Sequence, residues 1–256
     1  MAEGDVVHRF ATRLDAALRG VPVTAASSPN PRGRVDAVAA RLVGRILERA
    51  EARGKHLLLR FGSDAILHSH LGMRGSWHVY RRGDRWRRPR RSAWLVLSTE
   101  TADAVQFGGS RLALLDDARL RRDPSLASLG PDVLAADFTP QVCAAALRAA
   151  AGDRSLGDAL LDQRLVAGIG NVYKSEACFV AGVSPWRRLD ELGEDELTRV
   201  CSDARSLMRD GYDGRRGSRR VYRRASEPCP SCGTPIRSRA QGDAARTTYW
   251  CPTCQS

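Results

Sequence analysis

Four cysteines near the end of the chain have the spacing for metal chemistry. Cys229-Pro-Ser-Cys232 is followed, eighteen residues later, by Cys251-Pro-Thr-Cys254. Each C-x-x-C closes a knuckle that aims two thiolates at one point, and the pair has the pattern of a four-thiolate structural zinc site. A redox role would need a thioredoxin-like βαβ setting, which neither pair has. Between the knuckles, TPIRSR and ARTTYW read as the two strands of a hairpin too small to fold without its metal. One structural Zn2+ is the cofactor this predicts. The other three cysteines, Cys143, Cys178 and Cys201, stand in apolar stretches and read as buried free thiols of a reducing compartment.

Basic residues form the second pattern. The 256-residue chain carries 41 Lys plus Arg against 29 Asp plus Glu, a formal charge of +12. Such a balance favours a polyanionic partner, most often nucleic acid. Only Lys55 and Lys174 are lysines; the rest are arginines. Seven arginines fall in 81–91, RRGDRWRRPRR, and six in 215–224, RRGSRRVYRR. The first cluster is evenly balanced between a solvated loop and a DNA contact. The second runs into the cysteine module, where contact with phosphate is the better reading.

A third pattern is GDALLDQRLVAGIGNVYKSEACFVAG, residues 157–182. A helix ending near Gln163, a tight Gly168-Ile169-Gly170 turn and a helix opening at Asn171 would present backbone N–H groups to a phosphate. Lys174, one turn into that second helix, is open between a phosphate contact and a plain exposed charge. His68 and His70 alternate with leucines on one strand. They read as ordinary strand histidines rather than a metal pair, and the five tryptophans read as packing residues.

These groups need a frame. Residues 5–18 place Val6, Phe10, Leu14 and Leu18 at helical spacing before Gly20. Short strands follow at 56–61, 65–71, 75–80, 92–99 and 111–116, and helical periodicity resumes from 139 to about 210. A helix followed by strands predicts a β-sandwich or barrel with a helix packed on it. A hydrophobic fraction of 43% excludes wholesale disorder. No apolar run has membrane-spanning length, and the first residues lack a signal pattern, so the expected location is cytoplasmic.

Taken together, MAEGD at the start, GKHLLLRF, HSHLGMRGSW, GIGNVYKSEA and EPCPSCGTPI…RTTYWCPTCQ resemble the Fpg/Nei family. These are the formamidopyrimidine-DNA glycosylases and endonucleases VIII of base-excision repair, and the likeness runs along the whole chain toward an actinobacterial endonuclease VIII-like branch. It implies an α+β fold of three parts. Residues 1–125 would form a catalytic domain, an N-terminal helix plus a two-layer β-sandwich. Residues 126–220 would be helical with a helix–two-turn–helix motif, and 221–256 a four-cysteine zinc β-hairpin.

The resemblance also implies a bifunctional DNA glycosylase and abasic-site lyase. Once Met1 is removed, the α-amine of residue 2 attacks C1′ of the damaged nucleotide, and a Schiff base forms as the base leaves. β- and then δ-elimination cut the strand. An α-amine, with a pKa near 7.7–8.0, keeps far more of the nucleophilic free form at neutral pH than a lysine does. The family's usual nucleophile is proline; this chain has Ala2, which keeps a primary amine but loses the ring. A catalytically weak paralogue that binds damaged or abasic DNA is therefore the alternative, with a zinc-ribbon transcription or RNA-binding factor as a third reading.

By the same resemblance Glu3 handles protons at the sugar, and Lys55 contacts phosphate beside the lesion. Asn171 and Arg246 grip phosphates around the flipped nucleotide. Met73, with Arg74 beside it, fills the void left in the duplex, ordinary core packing being the other reading of Met73, and further wedge residues should fall near Ser110, Arg111 and Leu112. The short 211–220 segment lacks the loop that covers a flipped purine in enzymes specialised for 8-oxoguanine, so oxidised pyrimidines are the expected lesions. The implied partner is damaged double-stranded DNA, with single-stranded or bubble DNA also open. The chain is expected to be a monomer, nucleoid-associated through DNA, with no membrane contact.

Overall fold

A computed structural model describes residues 2–30, 35–150 and 152–256; Met1, whose removal the sequence reading requires, lies outside them. The chain forms two compact units that divide after Ala127.

The first unit opens with α1 (Gly4–Leu18), entered from Glu3 in an extended conformation. Its buried stripe is Val7, Ala11, Leu14 and Leu18. The predicted stripe is half displaced: Val6 and Phe10 are only partly buried and face a cleft instead. There follow β1 (Ala25–Ser27), α2 (Asp36–Ala40), β2 (Arg49–Arg53), β3 (His56–Arg60), β4 (Ile66–His70), β5 (Ser76–Arg81), β6 (Ala93–Ser98), β7 (Ala102–Phe107) and β8 (Arg111–Leu115). Two short helices, α3 (Asp117–Arg122) and α4 (Pro124–Ala127), close the unit.

The strands make two antiparallel four-stranded sheets, ordered β1-β6-β7-β5 and β2-β3-β4-β8. Leu57, Leu59 and Leu67 from one sheet, and Leu95, Leu97 and Ala104 from the other, meet the apolar stripe of α1 in one core. Burial of each such leucine is worth roughly 1.5–3 kcal/mol. Strand periodicity turns the intervening residues the other way: His56, Leu58 and His68 are buried on the far face of their sheet. Three strands escape sequence reading. β1 is three residues long, β2 reads RAEAR with no apolar alternation, and every residue of β7 is buried, so it lacks the alternation of a half-exposed strand.

The second unit contains α5 (Pro140–Ala149), α6 (Leu156–Ala159), α7 (Asn171–Val180) and α8 (Glu194–Tyr212), then β9 (Arg237–Gln241) and β10 (Arg246–Trp250). Thr139 caps α5 through the Val142 N–H at 3.2 Å, with Pro140 in the first turn, where its missing N–H costs nothing. α6 is a single turn ending at Ala159, with turns leading on to Gln163. α7 is the central helix: residues 171–179 are all buried, and it packs on α8 and β10. Both hairpin strands start later than TPIRSR and ARTTYW suggest, and the first also ends later, with Arg246 opposite Gln241.

Two expectations fail here. Cys143 on α5 and Cys201 on α8 are joined as a disulfide, not held as separate thiols. They lie 58 residues apart in sequence, and only the packing of α5 on α8 makes them neighbours. Lys174 is neither a surface charge nor placed to touch DNA directly, because its side chain is fully buried. No helix among the described residues is long and apolar enough to cross a membrane.

Candidate active site

In the first unit, Ala2 lines an open cleft of about 550 Å3 together with Phe10, Met73, Arg74 and Arg88. The next residue, Glu3, is almost wholly buried, and its carbonyl accepts the Val6 and Val7 N–H groups at 3.0 and 3.1 Å. Its carboxylate therefore belongs to a residue fixed at the positive end of α1, where negative charge is favoured. A helix start thus holds both family positions, Ala2 and Glu3, next to the cleft.

Met73 and Arg74 sit on the turn between β4 and β5. Gly72 begins the turn at φ +57°, a conformation that an L side chain rarely adopts, and a Cβ there would lie 3.2 Å from Ser110. Met73 is 55% exposed. An ordinary core methionine would be covered, so Met73 is not a packing residue of the core. Of the predicted accessory wedge residues, Ser110 alone stands at this tip. Arg111 is paired with Asp123, and Leu112 packs against the core.

Lys55 follows Gly54, whose φ of +57° forms the tight turn from β2 into β3. His56 lies opposite His70 in the neighbouring strand, and the Lys55 charge is felt at His70. Burial, then Lys55 and Arg111, hold His70 below its ordinary pKa. A neutral His70 at pH 7 shares a 2.7 Å hydrogen bond with Ser110 Oγ through Nδ1. His68 behaves as an ordinary buried strand histidine, hydrogen-bonded to His56 at 2.8 Å. Lys55, His70 and Ser110 thus make a polar patch one residue upstream of the Leu71–Arg74 turn.

Every arginine of the first cluster is exposed, and the loop that carries them is anchored through Trp86. Trp86 is buried on the outer face of the first sheet with Val105 and Phe107. Arg90 stacks on Trp86 at 4.3 Å, and Arg88 lies over Phe107 at 5.5 Å while lining the Ala2 cleft. Sequence reasoning missed Arg88. The signal available was Trp86, an aromatic anchor in the middle of an arginine run.

In the second unit, Gln163 braces the glycine turn: its Oε1 accepts the Gly168 N–H and its Nε2 donates to the Ile169 carbonyl, both at 3.0 Å. Asn171 then starts α7, and its Nδ2 donates to the Thr247 carbonyl at 2.7 Å. An amide nitrogen has two protons, and this contact uses one. The next residue back from Thr247 is Arg246, exposed at the start of β10. Asn171 is therefore bonded to the residue that follows Arg246 on β10.

Glu176, five residues further along α7, is a second residue that sequence reasoning passed over. Its buried carboxylate accepts the backbone N–H groups of Arg220, Val221 and Tyr222 at 2.9, 3.0 and 2.8 Å. Arg216 stacks on Tyr173 and donates to its hydroxyl at 2.9 Å. These contacts bind the second arginine cluster to α7, around a cleft of about 420 Å3 lined by Tyr173, Glu176, Arg215, Arg216 and Arg219.

The four cysteine sulfurs all lie within 4.8 Å of one another. Cys229 and Cys254 are 3.9 Å apart and Cys232 and Cys251 3.5 Å apart. Sulfurs about 2.3 Å from a tetrahedral zinc would be separated by about 3.8 Å, so the set fits one such ion. Among the described residues no other group of three or more His, Cys, Asp or Glu side chains is spaced to hold a metal.

One unit thus carries Ala2 and Glu3 on a β-sandwich, and the other a helix pair around a glycine turn with a four-thiolate hairpin. Matches to known families cover nearly the full length. Residues 1–122 match the formamidopyrimidine-DNA glycosylase N-terminal domain, 129–221 its H2TH domain, and 226–256 the zinc finger found in FPG and IleRS. The chain is 43% identical to the probable endonuclease 8 2 of Streptomyces coelicolor, covering all of this chain and 94% of that one. It is 41% identical to the DNA-(apurinic or apyrimidinic site) lyase Nei2 of Mycolicibacterium smegmatis, covering all of this chain and 99% of the relative. In fold it matches Lactococcus lactis formamidopyrimidine-DNA glycosylase non-covalently bound to DNA containing an abasic site. That likeness has a TM-score of 0.84 at 22% identity and covers both chains completely. The chain belongs to the Fpg/Nei family of DNA glycosylase/lyase repair enzymes.

Proposed function

We propose that this protein excises oxidised bases, pyrimidines foremost, from duplex DNA and then cuts the resulting abasic site by β,δ-elimination. The nucleophile is the α-amine of Ala2 after Met1 is removed. Its lone pair attacks C1′ and the glycosidic bond electrons leave with the base; the nitrogen then loses one proton, and its lone pair expels the ring oxygen, which takes up a proton, to give a protonated imine. Glu3 carries protons to and from the sugar oxygen. The protonated imine of a primary amine can lose its remaining N–H proton and become neutral, whereas a proline adduct has none to lose and stays cationic, so elimination here depends on keeping that proton.

The observation that carries this reading is the shared cleft of Ala2 and the exposed Met73. A wedge beside the nucleophile fits an enzyme that extrudes a base before attacking its sugar. Arg74 and Arg88 on the same cleft, and Asn171 with Arg246 in the other unit, supply donors and charge for phosphates. Lys55 supplies a point charge by the lesion. The short 211–220 segment, whose Arg220 N–H is held by Glu176, leaves no long cover for a purine and supports the pyrimidine preference. The lyase name of a 41% identical relative favours catalysis over binding alone.

The reading is tested by assaying strand cleavage on duplexes bearing thymine glycol, 5-hydroxycytosine, 8-oxoguanine or an abasic site. Protein lacking Met1 should cut the pyrimidine lesions and the abasic site fastest, and protein with a blocked N-terminus should cut none. Cleavage that survives the block would contradict the proposal.

A further inference from the structure

Lys174 is one of only two lysines in an arginine-dominated chain, and it is completely buried. Lysine is almost never fully buried unless its ammonium is well supplied with partners. On α7 it lies three residues after Asn171, hence on the same helical face. Its Nζ donates to Thr248 Oγ1 and, at 3.4 Å, to Gln241 Oε1. Those two acceptors bracket Arg246: Gln241 lies directly across the hairpin from it, and Thr248 lies two residues beyond it on the same strand.

The surroundings are shaped for this contact. Thr248 donates to Gln241 Oε1 at 2.6 Å, and Gln241 Nε2 donates to Ser155 Oγ and the Pro185 carbonyl at 2.9 and 2.7 Å. A Cβ on Gly157 would lie 2.4 Å from Gln241 Oε1, so that helix turn must have glycine for the amide to fit. One turn away on α7, Asn171 holds the Thr247 carbonyl.

We infer that Lys174 is a positioning residue that locks the Arg246 strand against the Asn171 helix, so that the two phosphate-gripping side chains keep a fixed spacing. A buried methionine of similar length could fill the space but could not satisfy both strands. A planar guanidinium would not fit a site built for a compact ammonium.

This inference rests on the proposed phosphate role of Arg246, so its test separates the two. Binding to a duplex with a tetrahydrofuran abasic analogue is measured across salt concentrations for K174M, T248V, R246A and K174M/R246A. Zinc content and thermal melting are followed in parallel. R246A should weaken binding about tenfold and lower the salt slope by about one. K174M should reproduce both changes with zinc retained, yet cost less than twofold in the R246A background. T248V, which removes one acceptor and leaves the lysine, should weaken binding in the same direction, and it decides the matter if K174M does not fold. Wild-type binding by K174M, or losses that multiply in the double variant, would overturn the inference. If R246A alone binds normally, the phosphate reading of Arg246 falls and the inference falls with it.

Discussion

The Asn171 side chain reaches 76 residues along the chain to the Thr247 carbonyl, 2.7 Å away. Through that bond the helix after the glycine turn and the strand of the cysteine hairpin become one surface, with Arg246 at its edge. On the proposed reading the hairpin is part of the phosphate site, and the metal that folds it has a consequence for binding.

Removal of zinc should therefore cost affinity. Chelation followed by titration of an abasic-site duplex should show at least about tenfold weaker binding, with recovery on adding zinc back, because metal binding supplies folding free energy to so small a hairpin. Unchanged binding by protein shown to be metal-free would contradict this.

Met73 should act on DNA and not on folding. Its side chain is 55% exposed, so M73A should melt within experimental error of the parent. Stacking against an unstacked base is worth about 1–3 kcal/mol, so base excision from a duplex should slow roughly 5- to 150-fold. Excision from single strands, where no void opens, should change little. Single-turnover rates on the two substrates check the difference.

Glu3 should govern chemistry. E3Q keeps the shape of a nearly buried side chain but cannot exchange a proton. General acid–base groups contribute about 10²–10⁴-fold, so excision should fall in that range while binding to the abasic analogue persists. A single-turnover rate near that of the parent would remove Glu3 from the mechanism.

Acid should destabilise the first unit through its histidines. Burial, helped by neighbouring histidines, pushes His56 down to about 3, and burial with the Arg111 charge pushes His68 down to about 4. Both titrate near 6.5 in an unfolded chain. The unfolded state therefore takes up protons first as pH falls, so stability is full above about 6.5 and declines from there to about pH 3, where His56 is the last of the two to be protonated in the folded state. Melting curves at pH 7.5 and 4.5 should show this loss, and H56Q/H68Q should reduce the difference.

Much of the site is legible in local sequence because its signals are local. The cysteine knuckles, the Gly168–Gly170 turn, the glycines before Lys55 and Met73 and the leucine strands each carry their cause within a few residues. What escapes is set by partners far away. RAEAR is a strand only because β3 pairs with it, and Cys143 meets Cys201 only because α5 packs on α8. Lys174 is buried only because the hairpin closes over it, and Glu176 finds its N–H partners some 45 residues downstream. Arg88 lies between these cases, since its place depends on Trp86 folding back onto a sheet.

The most direct test of the account is the identity of the atom that holds the sugar. Protein lacking Met1 is incubated with an abasic-site duplex and sodium borohydride, and the trapped complex is digested and its cross-linked peptide sequenced by mass spectrometry. The account predicts one stable adduct, on the α-amine of Ala2. An adduct on Lys55, or none from correctly processed protein, would contradict it.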